Sequence, residues 1–119
     1  MARAAKSLAP NSVGHLDVAG PDLKTLGAFY TSVFDWDVEA RGPGSALLQT
    51  PTGTVGGALV ESDAAALTLG IVVPDLLLAI EKALQAGGTL VMPATGNGWV
   101  RKAQLCDPAG NMLTLIAGG

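Results

Sequence analysis

A repeat constrains this chain more than any other feature. Residues 13–34 read VGHLDVAGPDLKTLGAFYTSVF, and residues from Leu67 onward read LTLGIVVPDLLLAIEKALQAGG. The triplet Pro21-Asp22-Leu23 returns as Pro74-Asp75-Leu76. Each copy reads as a strand, a tight turn and an amphipathic helix. One module used twice is therefore expected, with function where the copies face each other.

In the first copy, alternation over 12–18 sends Leu16 and Val18 one way and His15 and Asp17 the other. Gly20-Pro21-Asp22 stops the strand, and Asp22 is placed to cap the helix. Leu23, Leu26, Phe29, Tyr30 and Phe34 recur at helical spacing and form one apolar face. Short strands are expected at 36–40, 46–50 and 55–61. They are separated by Gly42-Pro43-Gly44 and Pro51-Thr52-Gly53, where glycine admits positive φ and proline restricts it.

The second copy repeats the order. A strand covers 67–73, and Asp75 starts a helix with Leu76, Leu77, Ile80 and Leu84 on one face. Gly87-Gly88 stops it. Strands are expected at 89–92, 99–106 and 112–117. Asp107-Pro108-Ala109-Gly110-Asn111 makes the turn between the last two. The fold class is thus α+β. Two βαβββ modules (about 12–62 and 65–117) form a single domain at 12–119, after an N-terminal arm at 1–11. The helices leave the other faces of the sheets free, so two such curved mixed sheets would enclose a concave cleft.

Composition bounds the partners. The chain has 119 residues, 49% of them hydrophobic and 14% charged. Mean hydropathy is +0.41, which argues against disorder. So little charged surface points to a homodimer that hides apolar area. The net charge of -3 and the lack of a basic stripe exclude nucleic acid as the expected partner. Cys106 stands alone, so neither an intrachain disulfide nor a cysteine metal knuckle is expected. The stretch MARAAKSLAP lacks a long apolar core and no apolar run reaches membrane-spanning length, so no signal peptide and a cytoplasmic protein without membrane contact are expected.

Two motifs carry a family resemblance. One is the strand-turn-helix HLDVAGPDLKTLGAFYTSVF, with Phe29-Tyr30 near the helix end and Phe34-Asp35-Trp36 beyond it. The other is Asp107-Pro108-Ala109-Gly110-Asn111 before the last strand, in DPAGNMLTLI. In this order they resemble the vicinal oxygen chelate superfamily, which holds glyoxalase I, bleomycin-resistance proteins and extradiol dioxygenases. The resemblance spans about 12–117 and implies the glyoxalase/bleomycin-resistance fold.

The metal-dependent members of that family hold a divalent ion with four His/Glu ligands, one on each of four strands. The ion chelates two neighbouring substrate oxygens and acts as a Lewis acid. Residue by residue, the resemblance puts His15 at the first position, seven before Asp22. The loosely aligned second position falls on Glu61. The third falls on Thr68 or Leu69, neither a usual ligand. The fourth, seven after Asp107, is Thr114, where the metal enzymes carry Glu. At most two of the four ligands remain, and three protein ligands are normal even in open sites.

The implied function is therefore a small-molecule-binding protein that lacks a complete metal site and sequesters or carries an organic ligand in a dimer cleft. No cofactor is expected. The alternative is an enzyme of the same fold, a lyase, isomerase or dioxygenase. It would use His15 and Glu61 with a divalent metal, or His15 as a general base. The expected ligand-binding residues are His15, Glu61, Trp99, Gln104 and Thr114. Trp99 would stack a flat ligand or pack at a dimer contact. Trp36 reads as a core or interface residue. Of Arg101 and Lys102, alternation sends one toward the cleft and one away. Cys106 reads as a small buried apolar residue rather than a nucleophile.

Overall fold

A computed structural model describes residues 9–51, 53, 55–96 and 100–118. The chain divides into two compact units, His15–Thr68 and Leu69–Gly119, the latter joined by the residues before His15.

The N-terminal unit holds β1 (Ser12–Gly20), α1 (Leu23–Phe34), β2 (Asp37–Ala40), β3 (Ser45–Gln49) and β4 (Gly56–Glu61). Its strand order is β2-β3-β4-β1. β1 runs parallel to β4, and the other neighbours are antiparallel. A parallel neighbour needs a crossover, which α1, β2 and β3 supply. The Asp22 carboxylate accepts hydrogen bonds from the Thr25 N–H at 3.2 Å and the Thr25 hydroxyl at 2.9 Å. That caps α1 as the sequence suggests. Asp35 ends the helix in the left-handed region, with φ 58°.

Val18, Ala46, Leu48 and Leu59 form the buried core, with Leu16, Leu23, Leu26, Tyr30, Trp36 and Val38 packed against it. One part of the expected helix face is different. Phe29 and Phe34 are half exposed, at 53% and 49%. The sheet-facing stripe runs through Leu23, Leu26, Gly27 and Tyr30, because Gly27 lets α1 sit close to Val38: a Cβ there would meet its Cγ1 at 3.2 Å. Phe29 and Phe34 fall on the rim, in an aromatic cluster with Tyr30 and Trp36. Trp36 stacks on Tyr30 with ring centroids 5.4 Å apart.

The C-terminal unit holds β5 (Ala66–Val73), α2 (Leu76–Gln85), β6 (Thr89–Gly96), β7 (Arg101–Cys106) and β8 (Met112–Ala117). The order is β5-β8-β7-β6, with β5 parallel to β8. Asp75 caps α2 by accepting from the Leu78 N–H at 3.1 Å. Past the helix end, the Gly88 N–H bonds the Ala83 carbonyl at 2.8 Å. The core is Val73, Leu76, Ala103, Leu105 and Leu115, with Ala79, Ile80 and Ala83 against it. Leu77 and Leu84, expected on one face with Leu76 and Ile80, are 62% and 46% exposed. The alanines, not those leucines, face the sheet, so the stripe lies about one position round from the one that leucine spacing suggests.

β6 extends to Gly96, beyond the expected 89–92, with register shifts on either side of Met92. As the end strand of its unit it accommodates Pro93, which no ladder position there forbids. Residues 9–11, expected in the arm, are tied down: the Asn11 N–H bonds the Val72 carbonyl at 2.8 Å.

Candidate functional site

The helix side of the N-terminal sheet takes the even-numbered residues of β1, so its odd-numbered ones stand on the free side. His15 and Asp17 therefore project together. The His15 Nε2 lies 2.8 Å from the Asp17 Oδ1, and both side chains are about one-third exposed, at 36% and 30%. The neighbours come from register. Gly56 pairs with His15, Ala58 with Asp17 and Val60 with Ala19. On the other side of β4, Gln49 pairs with Gly56 and Leu47 with Ala58. The free side of β4 is thus built from small residues next to the His15–Asp17 pair.

Gly57, between them, has its own reason. A Cβ there would clash with the Leu16 carbonyl oxygen, so only glycine lets β4 approach β1 this closely. The Gly-Gly pair in GTVGG, which has no phosphate-loop pattern, is thus explained by strand packing and an open face.

Glu61 does not join His15. It lies two residues beyond the buried Leu59 on the same strand, and so on the helix side. It pairs with Gly20, five positions from the His15 row, or roughly 16 Å along the strands. There it lines a groove of about 750 Å³ with Asp22, Lys24, Ala28, Thr31 and Ala40. This groove is a shallow opening between α1 and the sheet. Its second carboxylate, Asp22, is committed to the helix cap. The Thr25 N–H and hydroxyl hold that carboxyl below the usual range. Pairing Glu61 with His15 in one ligand set is therefore corrected: the expected offset between repeats is right for the strand but wrong for its face.

In the C-terminal unit, Gln104 pairs with Thr114, and the Gln104 carboxamide donates to the Thr114 hydroxyl at 3.3 Å. Thr114 is only 5% exposed. Both stand opposite the core face taken by Ala103, Leu105 and Leu115. Lys102 shares their side, and Arg101 goes to the helix side, which settles the alternation at that pair. Cys106 is partly buried next to Met112. Trp99 lies outside the described residues. At the turn before β8, the Asp107 carboxylate accepts from the Ala109 and Asn111 backbone N–H groups, each at 2.9 Å, and from the Asn111 carboxamide. These bonds, that of the Asn111 side chain first, hold its carboxyl below the usual range.

Among the described residues, no group of three or more His, Cys, Asp or Glu side chains is gathered to hold a metal ion. Nor is any helix among them long and apolar enough to cross a membrane. The residue that sequence reasoning passed over is Asp17. Its signal was the i, i+2 spacing from His15, which puts both side chains on one strand face.

A family model described as a glyoxalase-like domain matches residues 15–116. Comparison with curated protein sequences finds no match. Among solved structures, the Mn(II)-bound glyoxalase from Novosphingobium aromaticivorans is similar, with TM-score 0.73 and 12% identity over 91% of this chain and 39% of that one. This chain thus spans about two-fifths of that protein's length. The methylmalonyl-CoA epimerase from Mycobacterium tuberculosis aligns with TM-score 0.69 and 19% identity, over 98% of this chain and 96% of that one. A glyoxalase/bleomycin resistance protein/dioxygenase superfamily member from Vibrio splendidus aligns with TM-score 0.66 and 12% identity, over 87% and 96%.

Proposed function

This chain belongs to the glyoxalase-like domain family, and we propose that it binds a small organic ligand on the free face of its N-terminal sheet, with His15 as the polar contact and no resident metal. The observation that carries this reading is the separation of the two candidate metal ligands. His15 is on the free face, hydrogen-bonded to Asp17, and Glu61 is on the helix side. The free-face positions of β4 (Gly56, Ala58 and Val60) offer no donor atom. In the other unit, Thr114 stands where a metal enzyme of the superfamily carries Glu, and its hydroxyl is engaged by Gln104. An imidazole and one carboxylate from the same strand fall short of the three protein ligands of an open site. The described residues do not fit the four-ligand set of the metal-dependent members.

Calorimetric titration of chelator-treated protein with manganese, nickel, zinc and iron(II) tests this. Weak, non-stoichiometric heats that are the same in His15→Ala are expected. Tight binding of one ion per chain, lost in His15→Ala, would overturn the reading in favour of metal chemistry like that of the Mn(II)-bound glyoxalase.

A second reading is favoured by the bond between His15 and Asp17. A carboxylate that orients an imidazole also suits proton transfer to or from a bound molecule. Turnover of a substrate that collapses in His15→Ala would make this an enzyme rather than a carrier. Two copies of the chain are proposed to pair, which is supported by the exposed Phe29, Val33 and Phe34 on α1. Sedimentation at about twice 11.9 kDa is the expected result.

A further inference from the structure

Four residues stand in one row across the free face of the N-terminal sheet. Asp37 of β2 pairs with Gln49 of β3, Gln49 with Gly56 of β4, and Gly56 with His15 of β1. Neighbouring strands lie about 4.8 Å apart, so the backbones of Gln49 and His15 stand roughly 10 Å apart, one on each side of Gly56. The floor between them is a glycine. Among the described residues, a Cβ built on Gly56 would meet no atom within 4 Å, so they leave the space above it open. Gly56 is also absent from the residues with positive φ, so its backbone does not require glycine. What the missing side chain leaves is room.

The wall on the His15 side has a defined polarity. A carboxylate only accepts hydrogen bonds, so the 2.8 Å contact with the Asp17 Oδ1 needs the imidazole proton on Nε2. In the neutral ring, Nδ1 is then an acceptor. No hydrogen bond to it occurs among the described residues. Around this row the charges are acidic. Asp17 lies one row along, and Asp37 and Glu39 flank Val38, whose side chain goes to the core. Arg41 is the cation next to this edge, and it pairs with Glu39 at 3.5 Å.

We propose that the Gly56 gap is the ligand notch of this face, and that Asp17 is the positioning residue that holds His15 with Nδ1 as acceptor. The ligand class is a small molecule, neutral or cationic, that presents an O–H or N–H donor to Nδ1, with the Gln49 carboxamide as its second polar contact. This inference rests on the reading that the free face of the N-terminal sheet binds the ligand. Anions are disfavoured by the carboxylates, and molecules without a donor leave Nδ1 unsatisfied, which a site built to be hydrogen-bonded discriminates against.

His15 is the one histidine of the chain, so nitrogen NMR reads a single imidazole. In the neutral ring we expect a dominant Nε2–H tautomer in the wild type and a mixture in Asp17→Asn, whose amide can also donate to Nε2. A dominant Nδ1–H tautomer in the wild type, or an unchanged one in Asp17→Asn, would overturn the role of Asp17. Phenol and its methyl ether anisole then probe the notch. Phenol should move the Nδ1 signal saturably, and anisole should bind at least ten-fold more weakly. Gly56→Ala should weaken phenol by a few-fold and Gly56→Leu by ten-fold or more, with melting temperatures near wild type. Equal affinity for the two probes, or an unaffected Gly56→Leu, would remove the notch. If neither probe moves His15, the ligand face itself is lost and the inference with it. Phenol binding with the wrong tautomer would remove only the part played by Asp17.

Discussion

In the N-terminal unit Asp22 caps α1 with φ -135° and ψ 94°; in the C-terminal unit Asp75 caps α2 with φ -135° and ψ 101°. Each unit pairs its first strand in parallel with its last, and each buries a core between one helix and four strands. Their free faces are not alike. On β1 and β4 of the first unit stand His15, Asp17, Gly56 and Ala58. On β7 and β8 of the second stand Gln104, Cys106, Met112 and a buried Thr114. The repeated pattern builds the scaffold twice, because helix capping, strand alternation and core packing need only a few residue types at fixed spacings. Chemistry sits on the positions that those requirements leave free, and there the copies diverge.

The comparison can be broken where the cores are matched. Leu59 is 0% exposed and Leu105 is 3% exposed. Leu59→Ala should cost about 4 kcal/mol, and Leu105→Ala a similar amount, from lost burial plus a cavity. Urea unfolding followed by two probes, one in each unit, checks this. Equal losses with a single transition would mean the units share one cooperative core. A loss confined to the mutated unit would mean that they unfold separately.

A sharper contrast lies within β4. Gly57→Ala forces a Cβ against the Leu16 carbonyl and should cost about 3 kcal/mol. Its neighbour Gly56→Ala should be nearly neutral, because no described atom stands in the way. If both variants melt alike, the close approach of β4 to β1 is not what requires glycine.

The caps come next. Asp75→Ala should cost about 1 kcal/mol. Asp22→Ala should lower the melting temperature more than Asp75→Ala does, because it also loses the bond from the Thr25 hydroxyl. The reverse order would show that the second bond contributes nothing.

The smallest effect is in acid. Asp22 and Asp107 hold their protons less readily folded than unfolded. The unfolded chain therefore takes up more protons in the range between the two values. The stability these groups contribute is present above the ordinary aspartate value of about 3.9 and is lost as pH falls through the lower native one. The urea midpoint should fall as the pH drops below about 4, and Asp22→Ala or Asp107→Ala should each flatten that slope. An unchanged slope in both would leave the two turns without electrostatic weight.

Much of the scaffold was legible because its signals are local. Asp22 and Asp75 announce their helices by capping chemistry. The turn from Asp107 to Asn111 closes through bonds between residues two to four apart. The side of β1 that carries His15 follows from period-two alternation. Less legible was anything that needed a phase between elements. Apolar spacing marks a face on each helix but not the stripe that meets the sheet: Phe29, Phe34, Leu77 and Leu84 are exposed, and Gly27, Ala79 and Ala83 lie against the strands instead. Glu61 is off the His15 face because of register: Thr114 pairs with Gly70, whose counterpart Asp17 pairs with Ala58, three residues before Glu61, and an odd offset along a strand reverses the side chains.

The sequence by itself determined the order of elements, the two capped helices, the final hairpin and the family. These depend on spacing within a dozen residues, where backbone geometry leaves few choices. Only the tertiary structure decided that His15 meets Asp17 and Gly56 and not Glu61. Strand register and face are properties of a pair of strands, and the residues that set them lie some forty positions apart in the chain.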